Sequence, residues 1–430
     1  MKRDDHPAAS AQERPQRMAK PLPVLWERLT REGAAEELFD IVIVGSGYGG
    51  SMAAARFAGE RTDDGAGGEH VAKVLLLERG KEYLPGEFPG RFADLPRHVR
   101  LADQDGSRAR FNQEGLFDLR IGADVSVLVA NGLGGGSLIN AGVLLEPELA
   151  EQASGPWRTH LEDLKGRGFF RAARRMLGGG EDDEKLNTIE HHAEQPEEGL
   201  AKTRALDEVA KALAKARAPK LPAGSLPPDG HARRVPLSIA LTPRRNDAGI
   251  QLPACTLCGD CLSGCNVGAK DSLDANLLRR AFGQPGFEIF TGATVLSLDR
   301  RDRQAAGRRE RDQGGAERPH WVLRVAHTDP RLQDREPRLL EVRARHVVLA
   351  AGTLGSTEIL LRSRSERLVF PSRLGAGFSC NGDNIAAVHR MDKVVNCGAD
   401  ETVPASQLGR EVGPTITASI RVPGGEGPGA

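Results

Sequence analysis

The chain has 430 residues with 59 Lys+Arg and 59 Asp+Glu, so its formal net charge is zero. A chain of this length makes about two to three domains and can bury a sizeable core. Charge balance excludes the uncompensated positive field that an electrostatic nucleic-acid binder or a polybasic membrane binder needs. The 51 glycines are about 12 % of the chain against a usual level of about 7 %. They have no collagen-like period, so they act as backbone devices, and the pattern asks what approaches the backbone so closely.

In chain order, residues 1–36 are polar and charged, lack an apolar signal-peptide region and read as a disordered tail. With no targeting signal, the expected location is cytoplasmic. Residues 39–44 (FDIVIV) form a β run that ends abruptly in GSGYGG, 45–50. Good helix formers occupy 51–58, and a second β run at 74–77 (VLLL) closes in Glu78-Arg79-Gly80. Strand, glycine turn, helix and strand open a βαβ unit. Residues 125–145 carry no charge, a length that could span a membrane. Their five glycines and the polar Asn131, Ser137 and Asn140 argue instead for a buried strand–loop–helix. Residues 181–235 are acidic, then Ala/Lys-rich, then Pro-rich, predicting a surface helix near 200–216 and a solvated His191-His192 pair. Strands are expected at 293–298 and 321–326, flanking a charged, glycine-containing hairpin tip at 300–320. A last β run, 346–350 (HVVLA), enters AGTLGS and a helix over 357–362.

Three glycine motifs carry chemistry. In Gly45-x-Gly47-x-x-Gly50, Gly45 permits the tight turn, Gly47 lets the main chain approach a pyrophosphate, and Gly50 lets helix and strand pack closely. The helix N-terminus then offers N–H donors and a positive dipole end to phosphate. Glu78 ends the next strand, where an acid accepts from a ribose 2′-hydroxyl and repels a 2′-phosphate, disfavouring NADP. The second motif, NGLGGGSLINAG at 131–142, puts four glycines in five positions. FAD needs such a second loop, because flavin and pyrophosphate must both be enclosed; a nicotinamide cofactor does not. The third, around Gly352, is a late strand-to-glycine turn. Alone, it is equally an ordinary βα turn.

Cys255, Cys258, Cys261 and Cys265 have the x2-x2-x3 spacing of a bacterial ferredoxin run, with Asn266 where proline is usual. One such run matches one 4Fe-4S cluster, with Cys265 bending back or Cys380 or Cys397 completing the set. A zinc site and free thiols on a loop turned by Gly259, Gly264 and Gly268 remain open alternatives.

Taken in order, the three glycine motifs resemble the glucose–methanol–choline (GMC) oxidoreductases, in particular the bacterial cholesterol-oxidase-like branch. The resemblance runs from about residue 39 to about residue 390. The strings NGLGGGSLINAGV (131–143), HVVLAAGTLGSTEILLRS (346–363) and LGAGFSCNGDN (374–384) carry it, and strings like CTLCGDCxxGCNxGAK also occur in that branch. It implies an α/β fold: a doubly wound, Rossmann-like FAD-binding sheet assembled from discontinuous segments, plus an incomplete α+β substrate domain with a mostly antiparallel sheet. By motif, Gly45, Gly47 and Gly50 then face the pyrophosphate and Glu78 the ribose. Asn131, Gly135, Ser137 and Asn140 lie along the flavin, Val295 meets the adenine, and Gly352 returns to the pyrophosphate. The implied domains are a tail (1–36), a first FAD-binding part (37–150) and a helical/loop segment (151–250). After them come the cysteine-rich loop (251–275), a second FAD-binding part with a strand insertion (276–365) and the start of a truncated substrate domain (366–430). The implied activity is oxidation of a CH–OH group of an apolar alcohol such as a sterol by hydride transfer to flavin, with O2 or another redox partner as acceptor. The family's catalytic histidine motif is not found before Ala430, since His389 stands in AAVHR, a context that does not match. The expectation is therefore a chain with feeble or no turnover alone. The alternative is a non-catalytic flavin-binding module or one part of a split enzyme.

Overall fold

A computed structural model describes residues 16–31, 37–63, 68–102, 109–146, 156–180, 187–189, 200–217, 231–301, 320–379, 392, 395–396 and 412–420. Its elements in order are β1 (Lys20–Pro21), α1 (Leu22–Thr30), β2 (Leu38–Val44), α2 (Tyr48–Phe57), β3 (Arg61–Asp63), β4 (Glu69–Val71) and β5 (Val74–Leu77). Four short strands come next: β6 (Val99–Ala102), β7 (Ala109–Phe111), β8 (Phe117–Arg120) and β9 (Val127–Ala130). Then come α3 (Pro156–Gly166), α4 (Phe169–Met176), α5 (Ala201–Arg217), β10 (Arg233–Arg234), β11 (Arg244–Arg245) and β12 (Gln251–Leu252). The rest are α6 (Leu277–Phe282), β13 (Phe287–Thr291), β14 (Ala293–Arg301), β15 (His320–His327), α7 (Pro330–Arg335), β16 (Leu340–Leu349), α8 (Gly352–Arg362) and β17 (Ala418–Ser419).

The central sheet has seven strands in the order β1-β13-β5-β2-β16-β15-β14. The first five are mutually parallel, and β14, β15 and β16 form an antiparallel meander. The β-branched and leucine runs of β2 and β5 suit strands buried on both faces. Val42, Val44, Leu75 and Leu77 pack with Leu22, Leu25 and Leu29 of α1 and Ile359 of α8. Ile43, Val74 and Leu76 point the other way, onto Ala54 of α2 and Leu278 and Ala281 of α6. Period-two alternation along each strand thus builds two cores, one per face. Each fully buried Val or Leu contributes about 1.5–3 kcal/mol.

The β16 strand is shared. Its residues 340–344 pair antiparallel with β15, and its residues 343–349 pair parallel with β2. A mixed four-stranded sheet, β7-β6-β8-β9, stands apart from the central sheet, and β10–β17 and β11–β12 make two small antiparallel pairs.

Several expectations need correction. The tail reading of 1–36 fails from residue 16: β1 pairs with β13, and α1 buries Leu22, Leu25 and Leu29. Those leucines recur at helical spacing, and burying that stripe orders the segment. The stretch 125–145 is not a buried strand–loop–helix. The strand β9 is only half-buried, with Leu128 exposed, and the glycines lead into a single 3₁₀ turn, Gly135–Leu138. The last helix begins at Gly352, five residues before its expected start. The hairpin strands form as expected, but tip residues 302–319 lie outside the described residues, as do His191, His192, Cys380, His389 and Cys397. Of the mostly antiparallel substrate sheet, the described residues show only the two small pairs. Among the described residues, no helix is long and apolar enough to cross a membrane.

Candidate cofactor site and cysteine pocket

The chain passes from β2 through α2 to β5 on one side of β2, while β16 flanks the other side. The carboxyl end of β2 is therefore a switch point, where open α/β sheets take ligands. The three glycine motifs meet there. Gly45, at φ +92°, donates its N–H to Leu77 O at 2.8 Å, and the Ala350 N–H donates to Val44 O at 2.8 Å. A Cβ on Gly45 would stand 2.5 Å from Ala350 O, and one on Gly50 would stand 1.9 Å from Gly45 O. A Cβ on Gly135 would reach 2.7 Å from Gly47 Cα, so the second glycine loop lies directly on the first turn.

Other glycines face open space. A Cβ on Gly47, Gly136 or Gly352 would meet no atom within 4 Å. Gly47 caps α2 with φ −66° and ψ −166°, a conformation any residue adopts. Its lack of a side chain is therefore not demanded by the polypeptide itself. An open, side-chain-free rim beside the start of α2, whose first N–H groups have no intrahelical partners, fits a pyrophosphate.

The polar candidates divide by role. The buried Glu78 carboxylate accepts from the Ser46 N–H at 3.0 Å, the Ser46 hydroxyl at 2.6 Å and the Gly80 N–H at 2.8 Å. It braces the glycine turn through three of about four lone-pair positions. The Ser46 Oγ also accepts the Gly134 N–H at 3.0 Å, which ties the two glycine segments. Asn131 is buried; its Oδ1 accepts from Arg79 Nε at 2.7 Å and its Nδ2 donates to Gly115 O at 2.9 Å. The Ser137 hydroxyl donates to Gly134 O at 2.8 Å and accepts the Leu273 N–H at 3.0 Å. Asn140 Nδ2 donates to the Tyr48 hydroxyl at 2.8 Å. Tyr48, the first residue of α2, is partly exposed; burial of its hydroxyl raises its pKa, against the opposing Asn140 hydrogen bond. Val295 is a core residue opposite Val325, next to a bulge in β14.

Sequence reasoning missed two features. The first is Asp118 on β8, fully buried and ion-paired to Arg79 at 2.6 Å, to Arg100, and to Arg120 at 3.1 Å. Arg120 also pairs with Glu358 of α8, joining the small sheet to the last helix. Burial pushes the Asp118 carboxyl up, but the three guanidiniums, Arg79 foremost, outweigh it and hold its pKa below the ordinary value. Three charged residues on short, half-exposed strands gave no period that sequence reading could catch.

The second is Lys270, next to the cysteine run. Cys255, Cys258, Cys261 and Cys265 all line one cavity, together with Ile239, Val267, Ala269 and Lys270. The loop turns at Gly259, Gly264 and Gly268, all with positive φ, as their spacing suggests. Leu257 is also left-handed, at φ +60°, a strained state for a bulky residue. Its N–H donates to Cys255 Sγ at 3.4 Å, and its carbonyl accepts the Gly413 N–H at 2.8 Å. Burial pushes the Cys255 thiol up to about 12 and raises Cys258. A bound metal would therefore have to displace protons there. Among the described residues, no group of three or more His, Cys, Asp or Glu side chains is gathered to hold a metal ion. Burial also lowers Lys270 to about 8, against the opposing pull of Cys261 and Cys265.

The fold is a mixed α/β sheet with glycine turns converging at the carboxyl end of β2. The comparisons then narrow it. Residues 244–367 match the family model for GMC oxidoreductase. A cholesterol oxidase of Mycobacterium tuberculosis (strain H37Rv) is 28 % identical over 351 residues, covering 81 % of this chain and 52 % of the relative. A cholesterol oxidase of Acinetobacter baumannii is 24 % identical over 374 residues, covering 86 % and 58 %. The chain thus spans about half the length of the curated relatives it matches. Among solved structures, pyridoxine 4-oxidase from Mesorbium loti matches with a TM-score of 0.35 and 19 % identity over 76 % of this chain and 52 % of that one. A fungal aryl-alcohol oxidase gives a TM-score of 0.36 and 14 % identity over 76 % and 48 %. The chain is thus similar to the GMC oxidoreductases over residues 244–367 and, over most of its length, to cholesterol oxidases.

Proposed function

We propose that the chain holds FAD at the carboxyl ends of β2, β5 and β16, as part of an oxidoreductase that oxidises a CH–OH group of an apolar, sterol-like alcohol. The observation that carries this is the contrast among the glycines. Gly45, Gly50 and Gly135 are forced by protein contacts and Gly352 by its φ of +73°, whereas Gly47 and Gly136 keep their Cα faces open with no such demand. The main chain at the start of α2 binds the pyrophosphate with N–H groups. Glu78 and Ser46 hold that turn rigid, and the remaining acceptor capacity of Glu78 faces the ribose. The loop 131–142, with Gly135 and Ser137, encloses the ring system, and the Tyr48–Asn140 pair stands at its mouth. Bound FAD supplies the hydride acceptor, and O2 is the expected final acceptor. The four cysteines share one cavity, but among the described residues they are not gathered into a group that could hold a metal ion, so the 4Fe-4S expectation is without support and no cluster is assigned to them.

The test is reconstitution of the 430-residue chain with FAD, then anaerobic addition of sterols and simple alcohols while flavin absorbance is recorded. Retained yellow colour supports the binding reading, and bleaching by an alcohol supports the activity. Protein that stays colourless after FAD addition refutes the cofactor assignment.

A further inference from the structure

The three glycine motifs are tied to one another through a single buried carboxylate. Asp118 of β8 is fully buried, and its oxygens take three guanidiniums: Arg100 on Oδ1, with Arg79 at 2.6 Å and Arg120 at 3.1 Å on Oδ2. Three of about four lone-pair positions are thereby filled. Two of these arginines reach beyond the small sheet. Arg79 directly follows Glu78, whose carboxylate braces the Gly45–Gly50 turn through Ser46. One edge of the Arg79 guanidinium grips two partners, with Nη2 on Asp118 and Nε on Asn131 Oδ1 at 2.7 Å, and Asn131 opens the second glycine loop. Arg120 pairs with Glu358 of α8, the helix that starts at Gly352 in the third motif. The Arg79 carbonyl accepts from the Thr328 hydroxyl at 2.8 Å, which leaves that hydroxyl to accept from Thr294 of β14 at 2.8 Å.

A second observation shows that this node acts on the position of the loop. Asn131 is 1 % exposed; its Oδ1 takes Arg79 Nε, and its Nδ2 donates to Gly115 O at 2.9 Å. With both ends engaged inside the protein, the side chain fixes where the loop begins and is not turned to a ligand. Beside it the end of β5 and the loop touch main chain to main chain. A Cβ on Gly80 would stand 2.4 Å from Gly132 N, and the Leu133 N–H donates to Lys81 O at 3.0 Å. A shift at residue 79 therefore passes into the loop, because a close-packed seam transmits strain and has no slack to absorb it.

We propose that Arg79, anchored by Asp118, is a positioning residue for FAD: it sets the spacing between the turn that takes the pyrophosphate and ribose and the loop that encloses the ring system. This rests on the FAD reading given above. FAD is one ligand with two halves. Once the nucleotide half is bound, the flavin half meets its loop at a high effective concentration, provided that the two protein segments stand at the matching distance. The node therefore serves FAD as a whole more than it serves either half. The fork is what makes arginine fit here. A lysine at 79 keeps a positive charge beside Asp118, but as a point charge it cannot reproduce the two-pronged edge that also holds Asn131.

The experiment titrates the full 430-residue chain with FAD and, separately, with ADP, and follows urea unfolding of the ligand-free protein. Wild type is compared with Arg79→Lys and with Asn131→Ser, which cuts the same bond from the loop side and leaves the Asp118 ion pairs intact. In both variants the FAD affinity should fall about tenfold, the scale of one hydrogen bond to a charged group, while the ADP affinity stays within about twofold of wild type. The ratio of the two affinities is the readout, because a variant that merely weakens the fold lowers both alike. If Arg79→Lys does not fold, the ratio for Asn131→Ser decides alone. Failure of wild type to take up FAD refutes the cofactor reading itself. FAD uptake by wild type with an unchanged ratio in either folded variant overturns the positioning role. FAD and ADP affinities that fall together, in step with lower urea stability, also overturn it and assign the node to the fold alone.

Discussion

Gly47 and Gly50 are three residues apart, and the structure predicts opposite consequences for replacing them. At Gly50 a methyl would lie 1.9 Å from Gly45 O, a main-chain atom that cannot step aside. Gly50→Ala should therefore cost at least about 1–3 kcal/mol, the range typical of overpacking. Gly47 caps α2 in an extended conformation with open space beside it. Aspartate is as good an N-cap as any residue, and it gains a few tenths of a kcal/mol relative to glycine. So Gly47→Asp should leave the FAD-free protein as stable as wild type, or slightly more so. FAD is another matter. A carboxylate about 5 Å from one phosphate charge at an effective dielectric of about 20 is repelled by about 3 kcal/mol. Loss of one charge-assisted N–H···O bond adds about 1.5–3 kcal/mol. Together these weaken binding by about 10³–10⁴-fold. Urea unfolding of the FAD-free proteins measures the first effect, and equilibrium dialysis against FAD measures the second. Gly47→Asp binding FAD within a few-fold of wild type would falsify the pyrophosphate assignment. Destabilisation equal to that of Gly50→Ala would show that Gly47 serves the fold alone.

Asp118→Asn strands three guanidiniums around a neutral amide and should destabilise the chain by about 3–5 kcal/mol in urea titration. Because the folded-state pKa of Asp118 is lowered, its stabilisation is present above the unfolded value of about 3.9 and fades as pH falls through the lower native value. The wild type should lose stability over that acid window, and the variant should lack that component; parallel acid profiles would count against the account. Leu25→Ala, at a fully buried position of α1, should cost about 2–5 kcal/mol by thermal or urea melts, and an unchanged melt would restore the view of this segment as a dispensable tail.

Much of the sheet was legible because its signals are local. The runs at 39–44 and 74–77 are apolar on both faces, and glycine turns stop them sharply, which marks out β2, β5 and the start of α2 directly. The meander was legible from its paired β runs. The missed elements depended on partners distant in sequence. Leu22, Leu25 and Leu29 form a readable stripe, but the surrounding charges hid it, and only β13 gives β1 something to pair with. The strands β6 to β9 are three or four residues long, and their charged residues acquire meaning only around Asp118. At the site, the glycine spacing located the turn. It could not tell glycines required by neighbouring backbone from glycines left open, because that distinction lives in the contacts of Ala350 and Gly45. Likewise Glu78, Asn131 and Ser137 were legible as polar positions near a cofactor. Their bracing bonds to Ser46, Arg79 and Leu273 span from 32 to 136 residues of sequence. Lys270 gave only a weak hint, a lone cation in an otherwise small and apolar GAK segment.

The double pairing of β16 sets the seams along which this protein could be recombined with its relatives. Arg343 and Ala344 bond to β15 on one edge and to β2 on the other, so the meander has no strand of its own to leave behind. A graft that exchanges the meander must start no later than Gly292 and carry the chain through Leu349. A junction placed inside β16 would join a foreign half-strand to the neighbour of the glycine turn and shift the register on which Ala350 reaches Gly45.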